Sequence, residues 1–393
     1  MPVSCSEEQQ YIPADIQGTR DAQTPIIVPA GKPIVIGVSS ALTGPVESRG
    51  TERRDAVVVG VELWKASNGD LIDGHEIMVY AEDDGAYEGD IAEFAAERLI
   101  KKEGLVGVIG PQASAGSDTA IPVLADAGIV AISGTATATY LTLTQPEPRF
   151  FFRTAYTNAT QGELQAQYLI SELDASTIWI IDDSESYGTD LADAAGDALE
   201  EGGRQVTRQS ITTGTADFNE LTGQIAADDP DAVIFAGFNP EGSLFCRQLR
   251  DAGYNGPFVS GDAVASTTNF IVPLGEQAEG AIFTGCMPTL PEDFIADYVR
   301  IVGHEPDTAF AAHVGDAAYI LLDAVKQVAV QQGDGSLVID PLELRDAVSN
   351  PSLLVGISGT IDFDENGDRV GSNSDIGLHI GRVENGKFVL LSL

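Results

Sequence analysis

From Lys32 onward the chain alternates short apolar segments with amphipathic ones, and this alternation restricts the fold more than any other feature. "PIVIGVSS" (33–40) has the length and apolar content of a buried strand, and "GTERRDAVVVGVELWKAS" spaces its apolar residues by three and four, as a helix does. "HEIMVYAEDD" reads as a strand, and "EGDIAEFAAERLIKKEG" as a helix ending in basic residues and glycine. "VGVIG", a helix from about Ser114 to Ala127, and "IVAISG" continue the series. Near "FFRTAYTNATQGELQAQYLI" the pattern restarts with "TIWIIDD", helix 188–201, "QVTRQSI", helix 217–227, "AVIFAG", helix 240–252 and "PFVSGD". Strands alternating with helices predict parallel sheets with helices on both faces. Two such runs predict an α/β protein of two doubly wound lobes.

A length of 393 residues agrees with two lobes, being too long for one ordinary core. The longest apolar runs, such as "DAVVVGVELW", are far too short to span a bilayer. Residues 1–32 show neither a basic region nor an apolar h-region and are expected to form a flexible leader or tether. Lys and Arg number 21 against 60 Asp and Glu, a net charge of −39. So acidic a surface repels phosphate backbones and anionic lipid heads, which argues against a nucleic-acid partner. Solubility or a saline habitat explains it; a basic docking partner is the alternative.

Three cysteines cannot make a disulfide framework. Cys246 and Cys286 are expected to be small buried apolar residues. Cys5, in "PVSC", is a candidate for the acylated cysteine of a bacterial lipoprotein, though the proline three positions ahead of it suits cleavage poorly.

Ligands of doubly wound sheets collect at the carboxyl ends of the strands. "VIGPQASAGS" (108–117) is such an end, where a core strand passes into small residues at a helix start. "VAISGTATATYLT" repeats the signature with Gly134, Thr135, Ala136 and Thr137. Hydroxyls and backbone N–H groups at helix starts hold an anion without a cationic side chain. Helix capping alone accounts for Ser, Thr and Gly equally well.

Other motifs carry less. "DFDENGD" (362–368) resembles the start of a calcium loop, but Asn373 stands where the bidentate Glu belongs, and a hairpin turn explains it better. The sequence contains no phosphate loop, no dinucleotide fingerprint and no G-x-S-x-G. His75, His304, His313 and His379 lack metal-ligand spacing. No catalytic residue, metal or cofactor is expected.

In joint order and spacing, the chain resembles the substrate-binding proteins of ABC importers, type I fold, leucine/isoleucine/valine-binding branch. The matching stretches include "IGVSSALTGPVESRG", "YAEDDGAYEGDIAEFAAERLI", "GVIGPQASAGSDTAIPVLADAGIVAISGTAT", "FFRTAYTNATQG", "IIDDSESYGTDLA", "DFNELTGQI", "AGFNPEGSLFCRQLRDAG" and "IDFDENGDRVG". The resemblance implies lobes joined by three crossovers, near Arg153, Gly285 and Gly356. Segments 33–153 and 286–356 then form one lobe, and 154–285 with 357–393 the other.

The resemblance also implies a non-enzymatic, monomeric protein in the periplasm or on the cell surface. Such a protein captures an amino acid in an interlobe cleft by hinge closure and delivers it to a permease. A sensor of the same fold, or cargo such as an amide, urea or aromatic acid, are the rival readings. By motif position the ligand carboxylate falls to Ala113, Ser114, Thr135 and Thr137. The ammonium falls to Asp262, where many relatives carry Glu, and Tyr187 and Phe238 are the closing aromatics. Arg49 stands where leucine binders place an aromatic, which suits a second carboxylate and suggests a polar or acidic amino acid; an arginine turned to solvent is the alternative. The family's frequent disulfide maps to Ala86 and Ala113, so it is missing.

Overall fold

The seven residues of β1 (Ile34–Ser40) are all buried, as expected of a strand covered on both faces. In the computed structural model, which describes residues 21–44, 46–86, 89–286, 290–351 and 355–392, β1 lies inside a parallel sheet. Parallel partners flank it on both sides, β2 (His75–Asp83) and β3 (Leu105–Ile109). β4 (Val130–Ser133) and β5 (Phe151–Arg153) extend the sheet beyond β3, and the short strand Leu71–Ile72 closes its other edge antiparallel to β2. The strand order 2-1-3-4-5 has its switch point between β1 and β3.

Helix α1 (Glu47–Asn68) carries a valine run, Val57 to Val59, that is poor for helix formation in isolation. Burial overrides that preference: the run is enclosed where α1 packs against helix Phe310–Val328. Helix α2 (Gly89–Leu99) and helix α3 (Ser114–Asp126) pack together.

Helix α4 (Asn158–Ser171) opens the second unit, capped by Thr157, whose hydroxyl accepts the Thr160 N–H. There follow β6 (Thr177–Asp182), α5 (Ser186–Glu201), β7 (Gln205–Ser210), α6 (Asn219–Asp228), β8 (Ala232–Ala236), α7 (Glu241–Asp251), β9 (Phe258–Ser260) and β10 (Ile282–Gly285). The parallel order is 7-6-8-9-10, the same switch pattern as in the first unit. Strands β11 (His379–Glu384) and β12 (Lys387–Leu390) then add antiparallel beside β10.

The chain divides into two compact units. The described residues within Met1–Ala155 and Pro288–Ile376 form one, and those within Tyr156–Met287 and Gly377–Leu393 the other. Residues 357–376, which the sequence reading gives to the second lobe, belong to the first. Ile361 and Phe363 join its hydrophobic core, and the Phe363 ring lies 5.6 Å from that of Phe152. The buried Arg369 donates to the Thr154 carbonyl (3.0 Å) and to Ser358 Oγ (2.7 Å). Asp316 accepts the Ile357 and Ser358 N–H groups, both at 2.8 Å. These buried charges need acceptors and donors that lie in the first unit, so the last crossover falls at Ile376/Gly377 instead of near Gly356. "DENGD" is a turn in which Asp364 Oδ1 accepts the Asn366 and Asp368 N–H groups.

Cys246 is buried, and burial pushes its thiol up to about 12. Cys286 is only half-buried, against expectation, because it follows the end of β10. Cys5 lies outside the described residues. Among those described, no helix is long and apolar enough to cross a membrane.

Candidate functional site

The first unit brings two loops together at neighbouring strand ends. After β3 the chain passes through Gln112 and the extended Ala113 into α3 at Ser114, with no side-chain cap on the helix. After β4, Ser133 Oγ donates to the Pro111 carbonyl at 2.6 Å and accepts the Ala136 N–H at 3.0 Å. Thr135 Oγ1 lies 2.5 Å from the Gln112 carbonyl oxygen and 2.8 Å from its Oε1. Ser114 Oγ accepts the Ala138 N–H at 3.2 Å. The structure therefore places Ala113, Ser114, Thr135 and Thr137 on two loops stitched to each other.

Ser114 is 4% exposed and Thr137 1%, so any polar group meeting them is held away from bulk water, where hydrogen bonds count for more. The set is one of neutral hydroxyls and a helix N-terminus, suited to a small anion. Arg49 lies in the first turn of α1, just beyond β1, and is half-buried. It thus follows the strand on one side of the switch point, and Ser114 the strand on the other.

The second unit assembles Tyr187, Phe238 and Asp262 after β6, β8 and β9. The Tyr187 and Phe238 rings lie 5.0 Å apart, tilted by 51°, within the range of favourable aromatic pairing. Tyr187 donates its hydroxyl proton to Asp262 Oδ1 at 3.3 Å. Burial, and then the charge of Asp262, push the Tyr187 phenol well above its ordinary value, so it stays protonated and able to donate. Tyr156 is raised for the same two reasons, and its hydroxyl accepts the Cys286 N–H at 3.2 Å.

Two supporting groups escape a reading of sequence alone. Asp183 accepts the Phe238 N–H (3.0 Å) and the Glu185 N–H (3.1 Å), pinning the loop of one aromatic to the approach of the other. Burial drives its carboxyl up to about 7. Gln161, on α4, donates to Asp262 Oδ1 at 2.8 Å. The doubled aspartate in "IIDD" hints at the first; a glutamine within an amphipathic helix gives no local signal for the second.

Comparison with known proteins identifies the family. Residues 33–386 match the periplasmic binding protein family. The chain belongs to that family. This periplasmic binding protein is 29% identical over 341 residues to the Leu/Ile/Val-binding protein BraC3 of Rhizobium johnstonii, covering 85% of this chain and 88% of that one. It is 31% identical to an amino acid binding protein of Pseudomonas aeruginosa, over 70% and 73% of the two chains. Among solved structures it resembles the leucine-binding protein LivK of Thermotoga maritima, with a TM-score of 0.77, 26% identity, and coverage of 91% and 98%. Its two parallel-sheet units are those of the type I periplasmic binding protein fold.

Proposed function

We propose that this protein captures an α-amino acid outside the cytoplasm and delivers it to an ABC transporter permease. The observation that carries the reading is the division of chemistry between the units. One gathers the neutral residues Ala113, Ser114, Thr135 and Thr137 on two joined loops; the other holds a carboxylate, Asp262, against Tyr187, whose ring pairs with that of Phe238. A zwitterion has the matching pair of ends: its carboxylate goes to the first set, its ammonium to the second. Ligand binding then shifts the population towards the ligand-bound form, and in this reading that is the form delivered to the permease. The relatives named for leucine, isoleucine, valine or amino acids support the cargo class.

Arg49 supports a narrower reading, in which the side chain of the cargo is polar or acidic. A guanidinium meets a second carboxylate bidentately and gains little from an aliphatic chain. The periplasm or outer cell surface is the working compartment, with acylation of Cys5 as the tether.

A thermal-shift screen over the twenty amino acids, small amides and aromatic acids tests the cargo, since a ligand selective for the native state raises its melting point. Calorimetry on Asp262→Ala tests the site. Loss of about 2–5 kcal/mol of amino-acid affinity is expected from an ammonium left unpaired; retained affinity overturns the assignment.

A further inference from the structure

We infer that Gln161 is the positioning residue for the ammonium-binding carboxylate, and so sets the preference of this site for amino acids over analogues that lack the ammonium. The inference rests on the proposed role of Asp262. Gln161 is fully buried in the second turn of α4. Its Nε2 donates twice, to Asp262 Oδ1 and to the Thr284 carbonyl oxygen, each at 2.8 Å. A carboxylate and a carbonyl are both acceptors, so only the nitrogen of the amide can face them. The orientation that results leaves Gln161 Oε1 buried without a hydrogen-bond partner. An orphaned buried acceptor is costly, and a fold that keeps one usually gains something in exchange.

The gain lies in how Asp262 is held. Aspartate is one methylene shorter than glutamate, and its carboxylate must be fixed where an ammonium can reach it. Gln161 ties that carboxylate to Thr284 near the end of β10, and Gln165, one turn further along α4, donates to Thr284 Oγ1 at 2.9 Å and fixes the anchor itself. Tyr187 adds a second donor to the same carboxylate oxygen. Both donors are uncharged. A lysine or arginine in their place would orient Asp262 equally well but would cancel the charge that attracts the ligand.

The experiment measures discrimination by calorimetry on the full chain, using L-leucine against 2-hydroxy-4-methylpentanoate and L-glutamate against 2-hydroxyglutarate. The unaltered protein should prefer the amino acid of at least one pair. Gln161→Leu should reduce that preference by about tenfold or more, as loss of a hydrogen bond to a charged group implies, while affinity for the hydroxy acid holds. A purely structural role would weaken both ligands alike and would overturn the inference. Gln161→Met, unbranched and of matching length, serves if the leucine branch prevents folding. In the unaltered protein, the Gln161 side-chain amide resonances should shift with the amino acid and not with its hydroxy counterpart; resonances that stay put overturn the inference without any mutation. Asp262→Asn separates the two claims. If it abolishes discrimination while Gln161→Leu preserves it, only the role of Gln161 fails. If Asp262→Asn preserves it, or if the unaltered protein binds none of the four compounds, the amino-acid reading fails and this inference with it.

Discussion

Arg153 and Asp368, 215 residues apart, form a buried ion pair in the first unit. The same guanidinium donates to the carbonyl oxygens of Ala136 (3.2 Å) and Ala138 (2.7 Å) and to Thr142 Oγ1 (2.7 Å). One side chain thus holds the loop that carries Thr137 and ties it to the segment preceding the last crossover. Removing the carboxylate leaves a wholly buried cation without its counter-charge. Asp368→Asn should therefore cost about 3–5 kcal/mol in urea unfolding, with a matching loss of ligand affinity. A cost below about 1 kcal/mol, the range of exposed pairs, would show that this pairing is not what places residues 357–376 in the first unit.

Glu52, on α1, makes the stability of the first unit depend on pH. Its carboxylate accepts the Thr308 N–H at 2.6 Å, yet burial outweighs this and raises the group to about 7. The folded state thus favours the protonated form. Its contribution is complete below about pH 4.5 and is lost as pH rises through about 7, a span worth at most roughly 3 kcal/mol. Glu52→Gln keeps an acceptor for Thr308 and removes the titration. Melting temperatures of the unaltered protein should fall relative to the variant between pH 5 and 8; parallel curves would refute the assignment.

The fold was legible because its signal is periodic and local. The valine-rich α1 and the fully buried β1 each show their environment within a few residues of sequence. For the proposed site the sequence offers two kinds of signal: small residues that follow a strand directly, as at Ser114 and Thr137, and family motifs that mark a position, as at Tyr187, Phe238 and Asp262. Contacts between distant buried groups were not legible. Arg153 and Arg369 read as ordinary charges until their partners in the 357–376 segment and helix Phe310–Val328 are seen, and for this reason the last crossover was misplaced. Gln161 escaped because a buried amide and an exposed one look alike in a helical pattern.

Gly261 tests whether Tyr187 matters through its position. A Cβ there would lie 2.2 Å from the Tyr187 hydroxyl and 3.0 Å from Leu191 Cδ2. Tyr187 is itself buried, 4% exposed, so it has little room to retreat. Gly261→Ala should displace the hydroxyl from Asp262 and weaken amino-acid binding about tenfold, the order expected for one hydrogen bond to a charged group. Unchanged affinity would mean that the phenol does not support the carboxylate.

Arg49 offers the sharpest test of cargo. Its place on α1 is fixed by the neighbouring Gly50, where a Cβ would lie 1.6 Å from the Ala41 carbonyl oxygen, so the helix start meets the end of β1 more closely than any side chain allows. Ser40 Oγ donates to the Gly50 carbonyl at 3.2 Å and closes the same contact from the strand side. Arg49→Ala alters neither residue of this backbone contact and removes the guanidinium together with its aliphatic stem. If the cargo carries a second carboxylate, a bidentate charge-assisted pair is lost, and L-glutamate affinity should drop at least about tenfold more than L-leucine affinity. Equal losses for both would dismiss the acidic-cargo reading. A gain for leucine would show instead that the arginine excludes aliphatic side chains, which is specificity by repulsion of the wrong ligand.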